Sequence, residues 1–172
     1  NISKLIPNKE FRIYYSNDLI GTQIGGALKN IYAIAAGVAE GLNLGENAKS
    51  ALISRSFAEM TRYAKKFKAD KNTLFGLSGL GDLILTCSSK NSRNTQFGIK
   101  LASSKYDNFL DLLKSQEVTE GYYTVKAVYN ISQKKNIDMP IMESVYNILY
   151  KQHDLKEELS NLLSRPITEE KI

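Results

Sequence analysis

Cysteine and histidine occur once each in these 172 residues, and basic residues outnumber acidic ones by only 23 to 18. Each scarcity closes a class of proteins. One cysteine, Cys87, cannot build an internal disulfide framework, and beside Leu83, Ile84 and Leu85 it reads as a small core residue. His153 has no second histidine and no cysteine for company, so no metal site is expected. The start of the chain lacks the basic and apolar regions of a signal peptide, which with the cysteine count makes the cytoplasm the expected compartment. The most apolar stretch, residues 24–42, is broken by Lys29, Asn30 and Glu40 and is too short to span a membrane. A net charge of +5, spread over the whole chain, favours anionic ligands only mildly. The two lysine clusters, Lys65, Lys66, Lys68 and Lys71 and then Lys134 and Lys135, read as solvated helix faces. Without a nucleic-acid motif beside them, no nucleic-acid partner is expected. Internal repeats and low-complexity tracts are also missing.

What remains is the composition of an ordinary globular domain. Hydrophobic residues make up 42% and charged residues 24%, which argues against wholesale disorder. A chain of this length buries roughly two-thirds of its unfolded surface and folds without staples. Residues 11–15 alternate like a strand, but no second strand follows to pair with it. That lone strand, and a first residue that is Asn1, point to a piece of a larger protein. Residues 1–20 then read as the remnant of an upstream domain with its linker, and 21–172 as a helical domain.

From Gly21 onward the periods are helical. Residues 24–42 form a helix rich in Gly and Ala, which weakens its intrinsic propensity but lets neighbouring backbones approach. It should be the central helix, packed within one chain or across a homodimer. Over 46–67, Ile53, Phe57, Met60, Ala64 and Phe67 share one face. Further helices are expected at 79–86, 95–102, 107–114, 124–134, 140–150 and 155–164. Pro140 suits a first helical position, Asp154 with Glu157 resembles a capping box, and Pro166 closes the last helix.

The residues able to carry chemistry cluster in two places. Lys29 lies in the small-residue helix among Gly25, Gly26, Tyr32 and Ala33, where an amine loses hydration and becomes suited to proton transfer; equally, it can snorkel to water. Asn30 beside it offers an amide. Asp82 is either a partner of free backbone amides at a helix start or a hydrogen-bond partner of Lys29, with the Thr86 hydroxyl one turn on. Ser92, Arg93 and Asn94 follow a polar turn, and with the amides of the next helix they can converge on a phosphate or form a plain surface loop. Glu120 precedes a helix, where an acid suits the dipole, and could alternatively contact a ribose hydroxyl. Gly76, Gly79 and Gly81 do not make a dinucleotide fingerprint, for no strand precedes them and the spacing is wrong.

Six motifs in order carry a resemblance. They are Gly-Gly-Ala-Leu-Lys29-Asn30, Ala-Gly-Val-Ala-Glu-Gly-Leu, Arg55-x-x-Ala-Glu-Met, Gly-Leu-Gly-Asp82-Leu-Ile-Leu-Thr86-Cys, Ser92-Arg93-Asn94-x-x-Phe-Gly and Val118-x-Glu120-Gly-Tyr. Together they resemble the C-terminal domain of bacterial NAD(P)-dependent glycerol-3-phosphate dehydrogenases. The resemblance implies an all-α substrate domain of the 6-phosphogluconate-dehydrogenase C-terminal-like type, with the N-terminal strand left over from a Rossmann domain that lies elsewhere. It also implies Lys29 as the catalytic proton donor and acceptor. Asn30, Asp82, Thr86, Ser92, Arg93 and Asn94 would join Lys29 around a small phosphorylated substrate, and Arg93, Val118 and Glu120 would touch NAD or NADP. The implied reaction interconverts dihydroxyacetone phosphate and sn-glycerol 3-phosphate and feeds glycerophospholipid synthesis, and a fragment without the Rossmann domain should be inactive. Two other readings remain open on the residues alone. One is a ketopantoate-reductase-like dehydrogenase, whose substrate carries no phosphate; the other is a non-catalytic helical interaction module.

Overall fold

The computed structural model describes residues 13–103 and 119–166, and every regular element among them is helical. In chain order these are α1 (Leu19–Gly41), α2 (Glu46–Lys66), α3 (Lys71–Phe75), a π-helical turn (Leu77–Gly81), α4 (Asp82–Ser88), α5 (Arg93–Ala102), α6 (Glu120–Lys135), α7 (Pro140–Lys151) and α8 (Leu155–Leu163). The expected helix at 107–114 lies outside the described residues. So do positions 11 and 12 of the expected strand, while 13–15 take no regular structure. A strand persists only when paired, and no partner is present among the described residues.

α1 is the axis of the fold. Leu28, Ile31, Tyr32, Ala33 and Ala36 are fully buried, so more than half of its circumference is covered by neighbours, while Lys29 and Asn30 stay on the part that solvent reaches. The helix begins five residues before the expected start because the Asp18 side chain accepts the Gly21 amide at 2.9 Å. Its small residues let other backbones in. A Cβ on Gly37 would lie 2.0 Å from the Thr95 carbonyl oxygen, and one on Gly98 would lie 2.1 Å from that of Ile34. α1 and α5 therefore cross at backbone contact, at a spot where only glycine fits.

The other helices follow local rules. α2 turns Phe57, Met60 and Ala64 inward as its spacing predicts. The single helix expected over 79–86 is instead two pieces, a glycine-rich π turn and then α4, and the short α3 before them was not expected. α5 starts at Arg93 rather than at residue 95, since the Ser92 hydroxyl accepts the Thr95 amide at 3.3 Å. α6 starts at Glu120, four residues early. Asp154 caps α8 by accepting the Lys156 and Glu157 amides at 2.9 and 3.0 Å. α7 has Pro140 in its first turn but no capping side chain of its own. Glu59, buried on α2, supplies one: it accepts the Ile141 and Met142 amides at 2.6 and 3.1 Å and the Tyr32 hydroxyl at 3.3 Å.

Candidate active site

α1, α4, α5 and α6 bring the candidate residues to one region. Lys29 projects from the middle of α1 and Asp82 opens α4. Lys29 Nζ donates to Asp82 Oδ2 at 2.5 Å, and both side chains keep partial access to solvent, at 23% and 31%. Thr86 stands one turn further along α4. Its hydroxyl donates to the Asp82 carbonyl oxygen at 2.6 Å and lies 3.5 Å from Oδ1. Lys29, Asp82 and Thr86 thus meet as expected, although the Thr86 hydroxyl is turned onto its own helix.

A second group lies beside the first. Asn94 Nδ2 donates to Asn30 Oδ1 at 3.1 Å, and Asn94 Oδ1 accepts the Gly121 amide at 3.0 Å. Asn30 Nδ2 makes a longer contact with the Gly26 carbonyl, at 3.4 Å. Asn94 is buried, so its amide ties α1, α5 and the first turn of α6 together. The tie requires glycine at 121, where a Cβ would sit 2.6 Å from the Asn30 carbonyl oxygen and 2.8 Å from Asn94 Oδ1.

Arg93 and Glu120 occupy the first positions of α5 and α6 and form an ion pair through Nη2 and Oε1. This pair is the most open part of the site, with side chains 76% and 54% exposed. The positive ends of two helix dipoles lie beside it, which suits an incoming anion. Arg93 and Asn94 are helical rather than part of the preceding loop, and that aims the guanidinium outward and the amide inward. Val118 lies outside the described residues. Among the described residues, no group of three or more His, Cys, Asp and Glu side chains is placed to hold a metal ion. No described helix is long and apolar enough to cross a membrane.

Two further polar residues, one at the site and one in the core behind it, have no role assigned by the sequence. Thr95 sits inside α5 with its hydroxyl on the Thr86 carbonyl oxygen, 2.8 Å away. Glu59 is an acid on the apolar stripe of α2 between Phe57 and Met60, and that misplaced charge was the available signal.

The sequence model described as the C-terminus of NAD-dependent glycerol-3-phosphate dehydrogenase matches residues 18–160. The chain belongs to that family. Among similar curated proteins, the glycerol-3-phosphate dehydrogenase (NAD(P)+) of Colwellia psychrerythraea is 46% identical over 157 residues, which are 91% of this chain and 47% of the relative. That of Staphylococcus carnosus is 44% identical over 165 residues, 95% of this chain and 49% of the relative. The crystal structure of the Coxiella burnetii glycerol-3-phosphate dehydrogenase superimposes with a TM-score of 0.86 at 38% identity, covering 95% of this chain and 51% of that one. The Saccharomyces cerevisiae enzyme gives 0.82 at 27% identity, with coverages of 95% and 48%. This chain therefore spans about half the length of the glycerol-3-phosphate dehydrogenases it matches, and its helical fold is that of their C-terminal part.

Proposed function

We propose that this chain is the substrate-binding part of an oxidoreductase that interconverts dihydroxyacetone phosphate and sn-glycerol 3-phosphate with NAD or NADP, for glycerophospholipid synthesis in the cytoplasm. The observation that carries the reading is the Lys29–Asp82 pair, an amine held at 2.5 Å by a carboxylate across two helices and still open to a ligand. Family membership supplies the reaction class.

Reducing a ketone places negative charge on its oxygen, and a positioned ammonium that gives up a proton there lowers the barrier. Lys29 Nζ fills that role, and in the reverse direction the neutral amine takes the proton from the alcohol. Asp82 orients Nζ, while Thr86 and Asn30 border the space where the reacting carbonyl would lie. Arg93 and the first amides of α5, with Ser92 and Asn94 beside them, hold the phosphate; binding energy at that end fixes the carbonyl at the other. NAD(P)H, when bound, supplies the hydride. Arg93 and Glu120, exposed together, are the described residues that fit contacts to its nucleotide, and Val118 is assigned with them. Most of the cofactor site belongs to an N-terminal Rossmann domain, so these 172 residues alone should not turn over substrate. The helical unit begins near residue 20, with Asp18 capping its first helix.

The test is Lys29→Ala in the protein that carries both domains. Turnover at saturating substrates should fall by about 10²–10⁴-fold, the usual worth of a positioned acid–base group. Unimpaired turnover would overturn the assignment. Activity on a ketone without a phosphate that does not depend on Arg93 would instead favour the ketopantoate-reductase-like reading.

A further inference from the structure

We infer that Thr95, which no ligand can touch, is a positioning residue that sets the Asp82 carboxylate against the Lys29 amine. The inference rests on the reading of Lys29 as the proton-transfer group. It begins with the weakness of α4, whose seven residues continue the π turn through the Asp82 amide, bonded to the Leu77 and Gly79 carbonyls; isolated helices shorter than about 12–15 residues are marginal in water. Gly81 before it provides no capping side chain, and only Leu83 and Cys87 are buried along it, while Ile84 and Leu85 face outward. The π turn anchors the start of α4, and the far end depends on partners outside the helix to stay in place.

The last four carbonyls of a helix lack intrahelical partners. In α4, that of Leu85 takes the Ser89 amide at 2.9 Å, and that of Thr86 takes the Thr95 hydroxyl at 2.8 Å. Thr86 in turn gives its own hydroxyl to the Asp82 carbonyl oxygen at 2.6 Å. A continuous path of hydrogen bonds therefore runs from Thr95 through Thr86 to the residue that carries the carboxylate. Thr95 is itself enclosed: it is 1% exposed, its amide is held by Ser92 Oγ, and its carbonyl lies against Gly37 of α1. α1 also carries Lys29, two turns before Gly37. One residue thus keys both helices, and with them both members of the pair, to a common reference.

Valine at 95 keeps the volume and removes the hydroxyl, leaving the Thr86 carbonyl without its partner; serine keeps the bond. In the two-domain enzyme, Thr95→Val should lower kcat by about 5–20-fold, a modest share of what a 1 Å misplacement can cost. KM for the phosphorylated substrate should stay within about twofold, and Thr95→Ser should recover kcat to within about twofold, as expected of a group that acts in the chemical step only. The decisive readout is a double-mutant cycle with Asp82→Asn, in which Thr95→Val should have almost no further effect. Full additivity, equal impairment by valine and serine, or an unchanged kcat would each overturn the inference. Should the valine protein fail to fold, Thr95→Cys, a weak donor of similar size, enters the same cycle with the same criteria. A wild-type-like Lys29→Ala sinks the functional reading itself, whereas an inactive Lys29→Ala with an additive cycle sinks only the role of Thr95.

Discussion

Lys29 and Asp82 stand fifty-three residues apart in sequence and meet because a small-residue helix admits a short one beside it. At this scale the burial of each side chain decides what it can do. Asn94, tied to Asn30 and Gly121, has little freedom left, while Arg93 next to it is exposed and its only hydrogen-bonded partner among the described residues is Glu120. An arriving phosphate must compete with the Glu120 carboxylate for that guanidinium. Cys87 shows the same logic in a residue without a role in the site. It is 1% exposed, and burial pushes its thiol up to about 12, so the nucleophilic thiolate is scarce at neutral pH. Alkylation of Cys87 by a neutral maleimide should therefore be absent in the native protein and track global unfolding in urea, as read by mass spectrometry. Rapid labelling without denaturant would show that α4 opens locally and that the pair it carries is loosely held.

Elements were legible where local chemistry set their limits. The three–four spacing of α2, Pro140 at the start of α7 and Asp154 at the start of α8 gave those helices within a residue or so, because each boundary is written in residues beside it. Helix starts set by less obvious caps were misjudged. Asp18 and Ser92 extend α1 and α5 backward, and the π turn before α4 depends on packing against neighbours rather than on periodicity. The site divides in the same way. Lys29 with Asp82 was foreseeable from an amine in an apolar helix and an acid at a helix start; Arg93 with Glu120 was not, since two helix starts twenty-seven residues apart become neighbours only in the folded chain. Backbone contact between α1 and α5 makes a sharp prediction at this scale. Gly37→Ala places a methyl group 2.0 Å from the Thr95 carbonyl oxygen, and main chain cannot yield as a flexible side chain would. It should destabilise the protein by about 1–3 kcal/mol or more. Gly26→Ala, on the same helix with open space around it, should be neutral or slightly stabilising, because alanine is the better helix former. Equal urea midpoints for the two variants would show that α1 and α5 do not cross as described.

For the molecule as a whole, the buried Glu59 carboxyl links three helices, α1, α2 and α7. Glu59 on α2 caps α7, receives the Tyr32 hydroxyl of α1, and is 1% exposed. Burial raises its pKa from 4.5 to about 7, with the Ile141 and Met142 amides pulling the other way. The folded state therefore holds a proton that the unfolded chain has already released between these two values, and stability must fall as pH rises through that window. The contribution is fully present below about 4.5 and gone above about 7. A shift of that size corresponds to roughly 3 kcal/mol. Other carboxylates titrate at the lower end of the window, so the contribution is isolated by comparison with Glu59→Gln, which cannot ionise. The amide loses part of the α7 cap and should be less stable than the wild type at pH 5, where Glu59 is protonated. Between pH 5 and 8 the gap between the two proteins, measured by urea denaturation, should close or reverse. Curves that stay parallel across that range would mean that Glu59 keeps its charge in the folded state, held as an anion by the first turn of α7, and that the join between α2 and α7 is an ion–dipole contact rather than a protonated one.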